Sequence, residues 1–152
     1  MENYEISEET LVVIGDLYGK TRIVEKEKEY EIDKKAYEIM DENCEYYGSS
    51  YNGRLKASKK MLDCSYKVPI LMEESSMLIF IPTKSSLVDD CIWINYNAIK
   101  SIKKKETKML IKLINNQDLM IDISELSLKN QIYRGAKLES VVRKRMIRRE
   151  KE

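Results

Sequence analysis

Residues 99–123, Ile-Lys-Ser-Ile-Lys-Lys-Lys-Glu-Thr-Lys-Met-Leu-Ile-Lys-Leu-Ile-Asn-Asn-Gln-Asp-Leu-Met-Ile-Asp-Ile, decide the fold class. Ile99 and Ile102 sit in a lysine-rich run, residues 109–114 form a second apolar run, Asn115, Asn116 and Gln117 supply a turn, and residues 119–123 make a third run. Connections this short cannot make the long crossover that parallel strands need, so the segment reads as an antiparallel meander.

Outward from the meander, Ser124 can cap a final helix of about 20 to 26 residues, whose Leu128, Ile132, Ala136, Leu138, Val141 and Val142 form an apolar stripe near the helical period. On the other side, residues 77–81 are an apolar run closed by Pro82, and residues 91–95 surround the only tryptophan, Trp93; both fit buried strands. Trp93 inside such a run is a core residue before it is an intercalating wedge. Residues 11–14 and 21–25 flank Gly15, Asp16 and Gly19 and predict a hairpin, with a third strand at 29–32. Asp33 offers a cap for an amphipathic helix over 34–47, ending at Gly48. Gly48, Ser49, Ser50, Tyr51, Asn52, Gly53 and Arg54 break the helical pattern and read as a loop, followed by a short helix over 55–63 bearing Lys56, Lys59 and Lys60. The expected architecture is α+β: a mostly antiparallel β meander with helices on one side, one amphipathic helix in the N-terminal half and a long basic C-terminal helix, all in a single domain spanning 1–152.

Composition narrows the function. The sequence contains no histidine, which excludes every His-dependent nucleophilic triad. It also lacks a phosphate-loop or dinucleotide glycine pattern, so an enzyme is not expected. Cys44, Cys64 and Cys91 are an odd number, far apart, with no Cys-x-x-Cys pair; they read as reduced, buried thiols, and no metal or cofactor is expected. Asp89 and Asp90 read as a solvated turn. No apolar run approaches the ~20 residues of a membrane span, and the acidic start is unlike a secretory signal, so a soluble cytoplasmic protein is expected.

The net charge of +1 hides a lopsided distribution. Residues 1–45 carry 6 Lys or Arg against 14 Asp or Glu, whereas residues 46–152 carry 21 against 12. The acidic third could shield the basic surface, recruit polymerase or keep the chain in solution. The basic excess lies in residues 54–60, 100–108 and 143–149. Each cluster alone is an ordinary solvated face, and the last also suits the negative end of a helix dipole. Together they could converge on a phosphate-facing surface.

The string Cys44-Glu45-Tyr46-Tyr47-Gly48-Ser49-Ser50-Tyr51-Asn52-Gly53-Arg54 resembles the Cys-x-aromatic-aromatic-Gly-Ser-Ser-Tyr-x-Gly-Arg signature of the ComK family of competence transcription factors. Further matches keep the family's order: residues 67–72 around Pro69 and Ile70, Ile79-Phe80 with Pro82-Thr83 and Ser85-Ser86, Cys91 with Trp93-Ile94, and Asn130-Gln131 with Tyr133-Arg134. The resemblance spans 44–138, and residues 1–35 match only loosely. It implies a nucleoid-associated activator of DNA-uptake genes that binds double-stranded DNA at A-tract and T-tract boxes as a homo-oligomer, mainly through the minor groove and the phosphate backbone. RNA polymerase would be a further partner. The implied DNA-binding set is Arg54 held by its loop, Ser49, Ser50, Tyr51 and Asn52 beside it, and Lys56, Lys59, Lys60, Lys84 and Arg134 as positional charge. Longer relatives continue into a tail contacted by the MecA adaptor, which delivers ComK to a Clp protease; this sequence stops soon after its last basic helix, so adaptor-controlled degradation is not expected. The rival reading is a protein-interaction module derived from the same family without DNA binding.

Overall fold

The apolar runs expected to be strands become the middle of a six-stranded antiparallel sheet in the computed structural model, which describes residues 3–151. In chain order the elements are β1 (Thr10–Gly15), β2 (Thr21–Glu25), β3 (Glu29–Ile32), α1 (Ala36–Tyr46), α2 (Tyr51–Leu62), β4 (Ile70–Glu73), β5 (Leu78–Pro82) and β6 (Ile92–Asn95). A 3-10 turn at Tyr96–Ala98 leads into β7 (Ile99–Lys105), β8 (Lys108–Leu113), β9 (Asp118–Ile121) and α3 (Glu125–Lys151). The large sheet has the order β3-β2-β1-β6-β5-β4, and β7-β8-β9 form a separate sheet. Every pairing is antiparallel.

The α+β class holds, with one correction: the meander is a second sheet lying on the first, and helices cover both faces. Because side chains alternate across a strand, a run that is apolar throughout needs cover on both sides. Val13, Phe80 and Trp93 face α1 and α2, while Val12, Ile81 and Ile94 face Met109, Ile111 and Leu113 of the small sheet. A third cluster joins Leu62 of α2, Leu71 and Ile79 of β4 and β5, and Leu138 and Val142 of α3. The edge strand β3 exposes Glu29 and Glu31, charges that discourage pairing with another chain.

Helix boundaries shift for local reasons. Helix α1 starts at Ala36, and Lys35 caps it without a side-chain bond, because Asp33 lies too early to reach the first turn. It ends as the glycine predicts: Gly48 takes φ +91° while Ser49 N–H donates to Cys44 O at 2.9 Å and Gly48 N–H to Glu45 O at 3.0 Å, the paired bonds of a Schellman motif. Helix α2 begins at Tyr51, four residues before the expected start. Ser50 Oγ accepts from Gly53 N–H at 2.9 Å, so only residues 47–50 turn the chain and Tyr51, Asn52, Gly53 and Arg54 are helical. Helix α3 has 27 residues and its cap is Ser124, whose Oγ accepts from Ser127 N–H at 3.1 Å.

The β1 end is closely built. A Cβ added at Gly15 would lie 2.2 Å from the backbone oxygen of Asp89, an atom that cannot swing aside. Gly15→Ala is therefore expected to destabilise the fold by about 2 kcal/mol, read as a lowered urea midpoint. An unchanged midpoint would show that the loop between β5 and β6 yields freely.

Candidate nucleic-acid interface

Helix α2 carries Arg54, Lys56, Lys59 and Lys60 and no acid among its 12 residues. The three lysines are exposed. Among the described residues, none of these four cations forms an ion pair. Lys56 and Lys60 are one helical turn apart and share the outward face. Lys59 lies on a flank with Asn52, beside Lys67, Ser85 and Ser86, around a hollow of about 360 Å³. Arg54 lies on the opposite flank, next to α3.

The core fixes this helix in place. Tyr51 is 2% exposed, its ring packed edge-on against Tyr37 at 5.0 Å and Trp93 at 6.1 Å between centroids. Burial pushes its phenol up to about 12, so it stays neutral and inside, and it is not free to serve a phosphate as expected. Its backbone N–H donates to Asp41 Oδ1 at 3.0 Å, tying the first turn of α2 to α1. Ser50 is the cap, and half-buried Ser49 lies against Gly53. Both hydroxyls sit at the N-terminus of α2, with Asn52 exposed beside them.

Two other expected contacts are engaged elsewhere. Lys84 Nζ is held by Asp90 Oδ2 at 2.6 Å, in a separate hollow shared with Asp16 and Asp122. Arg134 Nη1 donates to the backbone oxygens of Tyr66 at 2.6 Å and Lys67 at 3.3 Å. Buried Gln131 adds bonds from Nε2 to Lys67 O at 2.9 Å and Pro82 O at 2.6 Å. The pair thus clamps the loop after α2 onto α3 and the end of β5.

Of the three basic clusters, two converge. Arg145, Arg148 and Arg149 of α3 meet Arg54 across a cleft of about 450 Å³, floored by Met61, Leu71 and Val142. The sequence held a signal for this, because 145 and 149 continue the buried stripe of Leu138 and Val142 at helical spacing. Glu74, in the turn between β4 and β5, is the one acid in the cleft wall and pairs with Arg149 at 2.6 Å. The neighbouring Glu73 braces that turn. Burial works against its charge, but hydrogen bonds from the side chains and backbone N–H groups of Ser75 and Ser76 prevail and hold its carboxyl down at about 2. Burial likewise pushes the Cys44 thiol up to about 12, with the positive charge of Arg54 opposing it. The third cluster lies apart. Strand β7 leaves the turn where Tyr96 packs under Gly135 and runs back along α3, so that Lys104 pairs across Met109 towards Ile121, just before α3 begins. At 1.5 Å per helical residue, Lys103, Lys104 and Lys105 are roughly 30 Å from Arg145 and Arg149.

A model of the ComK protein family matches residues 1–147, extending on both sides of the stretch where the resemblance was legible. A competence transcription factor of Bacillus subtilis (strain 168) is 31% identical over 144 residues, 92% of this chain and 75% of that protein. No solved structure matches. The chain belongs to the ComK family. No helix among the described residues is long and apolar enough to cross a membrane.

Proposed function

We propose that this chain is a transcription activator of competence genes that binds AT-rich duplex DNA with α2 and the C-terminal part of α3, as an oligomer on repeated boxes. The observation that carries this reading is the acid-free α2, abutting the arginines of α3, on a chain of the ComK family. Arg54, Lys56, Lys59, Lys60, Arg145 and Arg148 give six cations without an ion pair among the described residues, enough for a strongly salt-dependent interaction.

Geometry restricts the mode. A helix about 10–12 Å across cannot enter a minor groove about 6 Å wide, so α2 would lie over the phosphates while single Lys or Arg side chains reach in. A-tracts favour this, because their narrow groove concentrates negative potential. The 12 residues of α2 span about 18 Å, roughly half a helical turn of DNA, so one chain reads one box and repeated boxes need repeated chains. Ser49, Ser50 and Asn52 would add neutral donors at the start of α2.

The test is an anisotropy titration of A-tract against GC-rich duplex of equal length at 50 and 200 mM salt. The expected result is preference for the A-tract and a loss of roughly 10³-fold in affinity across that range, as for about six neutralised phosphates. A flat salt response would favour the protein-interaction reading.

A further inference from the structure

The cleft between α2 and α3 concentrates more positive charge than the fold neutralises. Four guanidinium groups face one carboxylate, and that carboxylate, Glu74, is committed to Arg149. Arg54 Nε is buried and has no hydrogen-bond partner. A buried guanidinium donor without an acceptor is costly, and the planar fork of arginine matches the oxygens of phosphate two at a time. A DNA phosphodiester carries a single charge and lies on a convex surface, whereas this site is concave and gathers several cations at one point. Its apolar floor of Met61, Leu71 and Val142 leaves room beside the anion for an uncharged moiety.

We propose that this cleft is a binding site for a free diphosphate-bearing ligand, such as a nucleoside diphosphate, and that Glu74 is the internal stand-in that the diphosphate displaces from Arg149. Arg54, Arg145 and Arg148 line this cleft and are also three of the six cations assigned to DNA, so an occupied cleft withdraws half of that set and lowers duplex affinity. That consequence rests on the proposed DNA-binding function; the site itself does not.

The test is calorimetric titration of the full chain with inorganic pyrophosphate and with ADP. The wild-type chain is expected to bind both, and pyrophosphate at least 10-fold more tightly than inorganic phosphate. The pair of substitutions Arg145→Gln and Arg148→Gln, both at exposed positions and so harmless to folding, is expected to weaken pyrophosphate binding by at least 10-fold. Glu74→Gln removes the competing carboxylate and is expected to tighten it several-fold. Replacing Lys103, Lys104 and Lys105 by glutamine takes away more charge at the far end of α3 and is expected to leave binding unchanged. Absence of pyrophosphate binding at millimolar concentration, or an equal loss in the Lys103/Lys104/Lys105 variant, overturns the proposal. Duplex binding without pyrophosphate binding also overturns it while leaving the DNA reading intact; pyrophosphate binding in a chain with no duplex affinity supports the site and removes the DNA reading.

Discussion

Replacing Lys56, Lys59 and Lys60 together by alanine is expected to lower affinity for A-tract duplex about 100-fold and to reduce the slope of log affinity against log salt by about 2.7, or about 0.9 for each phosphate left without its cation. The affinity figure follows from about 1 kcal/mol for each solvent-exposed ammonium–phosphate pair, three of which amount to about two decades. The fold should not suffer. All three side chains are exposed and unpaired, and alanine is the better helix former. The matched control is Lys103, Lys104 and Lys105 to alanine. It removes the same charge at the other end of α3, so long-range attraction alone would make the two variants alike, whereas direct engagement of DNA by α2 separates them. Equal salt slopes for the wild type and the α2 variant would remove α2 from the interface.

The separate placement of the two lysine clusters shows what the sequence could and could not disclose. The elements themselves were mostly legible: the hairpin of β1 and β2, the strands around Phe80 and Trp93, the meander and the capped α3 all follow from local apolar pattern and turn chemistry. Strand β4 was not, since Ile70–Glu73 directly follows a proline and its three successive apolar residues show no alternation. Nor was the division into two sheets. It depends on the 3-10 turn at Tyr96–Ala98, which steers the chain off β6, and on β1 pairing with β6 some 80 residues away, contacts that no local window contains. The start of α2 is hidden because glycine and asparagine disfavour helix interiors; the Ser50 cap outweighs that, and a glycine at the third helical position replaces the usual capping-box glutamate.

The candidate site was legible in part for the same reason. Charge without a nearby acid can be read along one helix, so Lys56, Lys59 and Lys60 stand out. Whether a distant acid or carbonyl captures a cation cannot. Asp90 reaches Lys84 across a loop, and the carbonyls that hold Arg134 lie 67 and 68 positions away in the chain. The family-like strings around Gln131 and Arg134 and around Tyr51 and Trp93 therefore place and brace α2, and the cations it presents are a separate layer on top of that support.

Trp93→Ala is expected to cost about 4 kcal/mol, a large share of the roughly 5–15 kcal/mol that holds a typical domain folded. Its indole is fully buried in β6, opposite Val13 of β1 and Pro82 of β5, so its removal opens a cavity beneath both neighbours at the centre of the large sheet. The consequence should reach the interface. Tyr51, the first residue of α2, rests on this indole, and without it the first turn loses one of the two aromatic rings that set its height above the sheet. Trp93→Phe separates bulk from chemistry. Phenylalanine keeps an aromatic face for Tyr51, and it removes the indole Nε1, which is buried without a hydrogen-bond partner, so part of the packing deficit is offset and the net cost is expected to be about 1 kcal/mol. Urea unfolding followed by circular dichroism measures both variants, since the tryptophan signal disappears in each. Alanine should shift the midpoint several times further than phenylalanine and weaken duplex binding even where the chain remains folded; equal midpoints for the two would mean that α2 is held by something other than the Trp93–Tyr51–Tyr37 stack.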